Sequence, residues 1–108
     1  MWYENRENTE NLGRYLRDIR KRIFPNRNEV ILAMCGNGLA HYSPGGTLKT
    51  SVGDIEKGLL FFLSIRKEPQ TSIFCIYVRC LNLSQGHKKT LSEMLGGEIL
   101  ILPQMNLS

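Results

Sequence analysis

Apolar positions in this chain begin with a helical period. Leu12, Tyr15, Leu16, Ile19 and Ile23 recur at i, i+3, i+4, i+7 and i+11, one face of a helix that Thr9 can cap. The opposite face is basic, with Arg14, Arg17, Arg20, Lys21 and Arg22 relieved mainly by Asp18, and Phe24-Pro25-Asn26 stops the helix. The period then changes. Residues 30–34 are apolar throughout, Cys35-Gly36-Asn37-Gly38 carries the Asn-Gly hairpin signal, and residues 39–42 read as the returning strand. Ser43-Pro44-Gly45-Gly46 continues no regular structure and predicts a loop.

Helical spacing returns after Ser51, with Asp54 in the first turn and Val52, Ile55, Leu59, Phe62 and Leu63 as the inward stripe. Leu60, Phe61 and Ile65 widen that stripe, while Gly53 and Gly58 fall in the helix interior, where close backbone approach to a sheet would explain them. Residues 66–70 form a polar exit. Residues 71–81 are almost continuously apolar or β-favouring, which suits a central strand covered on both faces. A loop over 82–87, a short helix over 88–95 closed by Gly96-Gly97, and a last strand over 98–102 halted by Pro103 complete a βαβ unit. The expected fold is therefore α/β: a mixed sheet made of a hairpin and a βαβ unit, preceded by a basic amphipathic helix. Residues 1–27 are expected as an N-terminal extension and residues 28–108 as a single α/β domain.

Composition narrows the partners. A chain of 108 residues with 42% hydrophobic and 22% charged residues suits one globular domain. The net charge of +4 favours an anionic partner, and seven of the 14 basic residues fall in the first 27 positions. No apolar run approaches the roughly 20 residues of a membrane helix. Glu4, Glu7 and Glu10 make the first residues unlike a secretory signal or an acid-poor transit peptide. Cys35, Cys75 and Cys80 lack framework or metal-ligand spacing, so reduced thiols and no cofactor are expected.

Chemistry-bearing patterns point away from catalysis. The two main predicted strands carry no Asp or Glu between Val30 and Tyr42 or between Thr71 and Leu81, so a two-metal nuclease site has no ligands there. No serine or cysteine comes with a nucleophile elbow. His41 and His87 lack an orienting carboxylate in the sequence, and Gly36-x-Gly38 lacks the third glycine of a dinucleotide loop. Ser84-Gln85-Gly86-His87-Lys88-Lys89, at the start of a predicted helix, instead offers free N–H groups and two full charges to a phosphate.

The order of elements and several residues resemble the small-subunit ribosomal protein eleven family of bacterial type. Asn28, residues 30–34, Gly38, Tyr42-Ser43 and Gly46 are similar to that family's first block, with Tyr42 where its tryptophan stands, and Leu48-Lys49 looks like its Phe-Lys pair. Residues 73–81, Gly86-His87, 88–95, Gly97, 99–102 and Pro103 are similar to its later block in order and spacing. The alanine-rich helix pattern and the basic C-terminal tail of the family are missing. The resemblance implies a ribonuclease-H-like three-layer fold without catalysis, on the platform of the small ribosomal subunit. It further implies contacts with small-subunit rRNA and neighbouring ribosomal proteins near the mRNA exit path. Divergence from the family, the lost tail and modest basicity suggest a mitochondrial ribosome in the matrix, or otherwise the cytoplasm of a bacterium or another organelle.

On this reading Tyr42, Ser43, Gly45 and Gly46 shape a loop against rRNA, and Lys49, His87, Lys88 and Lys89 hold phosphates. Arg20, Lys21 and Arg22 of the basic helix supply the contacts that the missing tail would make. No membrane and no small-molecule substrate are expected. Two other readings stay open: a free-standing Alba-like nucleic-acid-binding dimer, and a protein–protein adaptor that docks a partner on the wide apolar helix face.

Overall fold

A computed structural model describes residues 5–37, 47–59 and 73–94 of the chain. Five helices make up 84% of these described residues, and no strand occurs among them. They are α1 (Arg6–Ile23), α2 (Arg27–Gly36), α3 (Thr47–Lys57), α4 (Ile73–Cys80) and α5 (Gln85–Met94). α1 lies mainly against α3, α2 lies against α3 and α4, α3 also touches α4, and α5 rests on α1. The expected α/β fold, with its mixed sheet and βαβ unit, is thus corrected to a small all-helical one.

The reason lies in two short apolar runs. Residues 30–34, expected as the first hairpin strand, belong to α2, where Val30, Ile31 and Met34 are buried. The long expected strand over 71–81 holds α4, an eight-residue helix whose Phe74, Cys75, Ile76, Tyr77 and Val78 are all buried. A run buried on every side shows neither the period of two nor that of 3.6, so hydrophobicity does not choose between strand and helix. β-branched Val30, Ile31, Ile73, Ile76 and Val78 favoured the strand, and packing overrode a preference worth only tenths of a kcal/mol per residue.

End signals decide more than the interiors do. Asn26 is the N-cap of α2: its side chain accepts from the Glu29 N–H at 3.1 Å, and Glu29 sits in the first turn. Asn26-x-x-Glu29 has the spacing of a capping box, immediately before the apolar run. Asn37, expected in a hairpin turn, closes α2 instead, its N–H bonding the Met34 carbonyl at 3.0 Å and its side-chain amide donating to the Ala33 carbonyl at 2.6 Å. α1 is capped by Asn5, whose Oδ1 accepts from the Glu7 N–H at 2.9 Å, and not by Thr9, which is buried inside the helix. The expected strands over 39–42 and 98–102, and the part of the second expected helix beyond Leu59, lie outside the described residues.

α3 starts at Thr47, ahead of the expected Ser51 cap, and ends at Lys57, with Gly58 directly after it. Gly58 has φ of +75°, and its N–H bonds the Ile55 carbonyl while the Leu59 N–H bonds that of Asp54. That pair of bonds is a Schellman stop, so Gly58 terminates the helix rather than interrupting it. A Cβ at Gly58 would stand 2.5 Å from the Thr9 carbonyl, and one at Gly13 would stand 2.6 Å from the Ile55 carbonyl oxygen. The close backbone approach expected on a sheet is therefore made between α1 and α3 at Gly58, and is not made at Gly53, where a Cβ would meet nothing within 4 Å among the described residues.

One core results. Leu12, Leu16 and Ile19 of α1 share it with Val30, Ile31 and Met34, with Leu48, Val52 and Ile55, with the α4 residues, and with Leu91 of α5. The basic helix is thus part of the core, with its charges, buried Arg20 apart, distributed around the remaining faces.

Candidate functional site: a basic cleft over a buried carboxylate

Contact between α1 and α3 brings Glu56 against Arg20. The Glu56 side chain is fully buried and accepts four hydrogen bonds. Arg20 grips it through two nitrogens, Nε at 2.8 Å and Nη2 at 3.0 Å, while Arg27 Nε donates at 2.8 Å and the Tyr77 hydroxyl at 2.6 Å. The remaining terminal nitrogen of Arg20 reaches the Phe24 and Pro25 carbonyls at 3.1 and 3.3 Å, which ties the α1–α2 turn to the same point. Burial by itself would raise the Glu56 carboxyl, but hydrogen bonds from Arg20, Tyr77 and Arg27 outweigh it and hold the group below the usual carboxylate range. The Glu56 hydrogen bond holds the Arg20 guanidinium protonated, and burial pushes the Tyr77 phenol well above its ordinary value. Two arginines on one carboxylate leave an excess positive charge at the surface above it.

That surface is concave. A recess of about 440 Å³ opens between the end of α1, the α1–α2 turn and the start of α3, lined by Arg17, Arg20, Lys21, Pro25, Asn26, Arg27, Asn28 and Lys49. No Asp or Glu is among those lining residues. Arg20 is committed to Glu56, and Arg27 gives Glu56 its Nε while its side chain stays 40% exposed. Lys21 and Lys49 are exposed and have no ion-pair partner among the described residues. Arg17 has its Nε buried without a hydrogen-bond partner, and its ion-pair contact among the described residues is with Asp18 at 3.7 Å. A concave wall of cations with no carboxylate among them is suited to a multiply charged anion, phosphate above all.

The sequence-predicted site residues are scattered by this fold. Lys21 and Lys49 meet at the recess, although they lie far apart in the chain. Arg20 is buried in the Glu56 network, and Arg22 is exposed elsewhere on α1. His87, Lys88 and Lys89 are the third to fifth residues of α5, which Ser84 caps through the His87 N–H at 3.1 Å. The His87 ring meets the Tyr15 ring edge-on, with centroids 6.2 Å apart. Arg17 is two residues from Tyr15, about 200° around the helix, so the Lys88-Lys89 turn lies on the other flank of α1 from the recess. Tyr42, Ser43, Gly45 and Gly46 lie outside the described residues, as does His41. Arg27 and Glu56, absent from the sequence-based candidates, prove central. The Asn26-x-x-Glu29 cap could have placed Arg27 at a helix start, but nothing in the sequence marks Glu56 as its partner.

Among the described residues no group of three His, Cys, Asp or Glu side chains is placed to hold a metal ion, and no helix is long and apolar enough to cross a membrane. Among the described residues no disulfide joins Cys35, Cys75 or Cys80. No family model, curated protein or solved structure matches the chain. The likeness to the ribosomal protein eleven family thus rests on the quoted residues alone, and the fold that it implies is not the fold observed.

Proposed function

We propose that this protein is a non-catalytic RNA-binding domain that holds phosphates of the RNA backbone in the recess between α1, α2 and α3. The observation that carries the reading is the set Arg17, Lys21, Arg27 and Lys49 around one concavity with no carboxylate among the described residues of its wall. Contacts of this kind attract any RNA strand, fall steeply with salt and carry little sequence information. The small-subunit rRNA of a mitochondrial ribosome is the narrower form of the proposal. It keeps only the residue likeness to the ribosomal family, because the strand order that the likeness also used is not observed among the described residues. It takes the compartment from the chain's divergence, missing tail and modest basicity.

Fluorescence anisotropy with a labelled single-stranded RNA at low salt tests the broader form, comparing the natural chain with K21Q/K49Q. Both lysines are exposed, so the variant keeps its fold, and roughly tenfold weaker binding is expected from the loss of two phosphate contacts. Unchanged affinity would remove the recess from the reading. Co-sedimentation of the tagged protein with small ribosomal subunits tests the narrower form, which a slow-sedimenting free pool would reject.

A further inference from the structure

A second concavity, of about 350 Å³, adjoins the first on the far side of Arg17. Its wall includes Arg6, Glu10, Arg14 and Arg17 of α1 with Lys57 and Leu59 at the end of α3. Both carboxylates at this recess already have partners: Glu10 is bonded to Arg6 at 2.8 Å, and Glu56 is buried beneath Arg20, Arg27 and Tyr77. Arg14 and Lys57 are exposed and have no ion-pair partner among the described residues. Arg17, shared by both recesses, keeps a buried Nε without an acceptor.

Helix geometry makes this a line. Positions 6, 10, 14, 17 and 21 follow i, i+4, i+8, i+11 and i+15, a single stripe of α1 about 22 Å long. α3 runs beside it in the opposite sense. Gly58 lies against Thr9 and Ile55 against Gly13, so Lys57 stands near the Arg14 end, while Lys49 shares the recess of Lys21. Cations therefore flank the α1–α3 seam on both sides.

We infer that the seam is a continuous track for single-stranded nucleic acid, which enters the two recesses by its phosphates on either side of Arg17. This inference rests on the RNA-binding reading and extends the site beyond the first recess. A flexible strand can adjust successive phosphates to the two hollows on either side of Arg17, whereas the phosphate spacing of a duplex is fixed. Among the described residues the recess walls offer cations and no aromatic face, so the track holds the backbone rather than reading sequence.

The test uses the full chain and labelled oligouridylates of about 4 and about 12 nucleotides, with a duplex of the longer length as comparison. R14Q/K57Q alters only the second recess and K21Q/K49Q only the first. For R14Q/K57Q we expect roughly tenfold weaker binding of the longer strand, with a salt slope shallower by about 1.4 for two lost phosphates. Little change is expected for the shorter strand, and the duplex should bind more weakly than the single strand. Loss of binding in K21Q/K49Q with none in R14Q/K57Q would overturn the track and leave the first recess standing. Unchanged affinity in both variants would overturn the RNA-binding reading itself, and tighter binding of the duplex would overturn the choice of ligand.

Discussion

Arg17 and Arg20 lie three residues apart on α1, yet the fold treats them as different materials. Arg20 turns toward α3, is almost completely buried, and has its guanidinium occupied by Glu56 and the carbonyls of the following turn. Arg17 looks out between two recesses with its Nε still lacking an acceptor. The first is structure and the second is surface available to a ligand. A run of basic residues on a helix is therefore not one functional unit. Each charge is assigned by the face it occupies, and that face is settled by what packs beside the helix.

The comparison can be broken most forcefully from the buried side. Glu56→Gln should leave Arg20 with no counter-charge in the core and cost about 3–5 kcal/mol, read as a lowered midpoint in denaturant unfolding followed by circular dichroism. A loss below 1 kcal/mol would show that Arg20 can leave the interior. Gly13→Ala should cost about 1–3 kcal/mol, because its Cβ would stand 2.6 Å from the Ile55 carbonyl oxygen and must push α1 off α3. Tyr77→Phe removes one charge-assisted hydrogen bond to Glu56 and should cost about 1.5–3 kcal/mol in the same assay.

Acid sharpens the contrast. The Glu56 carboxyl is held below its unfolded value, near 4.3 for a model glutamate, so its contribution is present above that pH. That contribution disappears as the pH falls through the folded-state value, where the protonated group no longer holds two arginines. Glu56→Gln should flatten this acid limb of stability against pH. A limb of unchanged slope would mean that other carboxylates produce it. From the exposed side, K21Q/K49Q should move stability by less than about 0.5 kcal/mol while weakening RNA binding, since neither lysine has a partner to lose among the described residues. A large loss of stability there would place the recess in the scaffold.

Legibility in the sequence followed how much of each element faced water. α1 has one buried stripe and one basic face, and Leu12, Leu16 and Ile19 are buried where their spacing puts them. α2 and α4 are short and enclosed, and the sequence showed an apolar run without a period, which β-branched residues then tipped toward strand. The Asn26 cap and the Gly58 stop were written in the chain, but each was read with its neighbours as something else. Lys21 and Lys49 were expected to face phosphates, the first from the basic face of its helix and the second from the family resemblance. That they share a recess with Arg17 and Arg27 was not visible, because the members of that set come from three different helices.

By itself, then, the sequence determined a small basic chain with an amphipathic first helix and a surplus of cations near it. Tertiary structure decided that residues 30–34 and most of 71–81 coil into helices, because enclosure on all sides removes the alternation that would have told strand from helix. It also decided which cations are structural. Arg20 and Glu56 are 36 positions apart, and only the approach of two glycine-relieved backbones brings them within hydrogen-bond reach. Once the buried carboxylate takes Arg20 and part of Arg27, the cations left over define where an anion can bind.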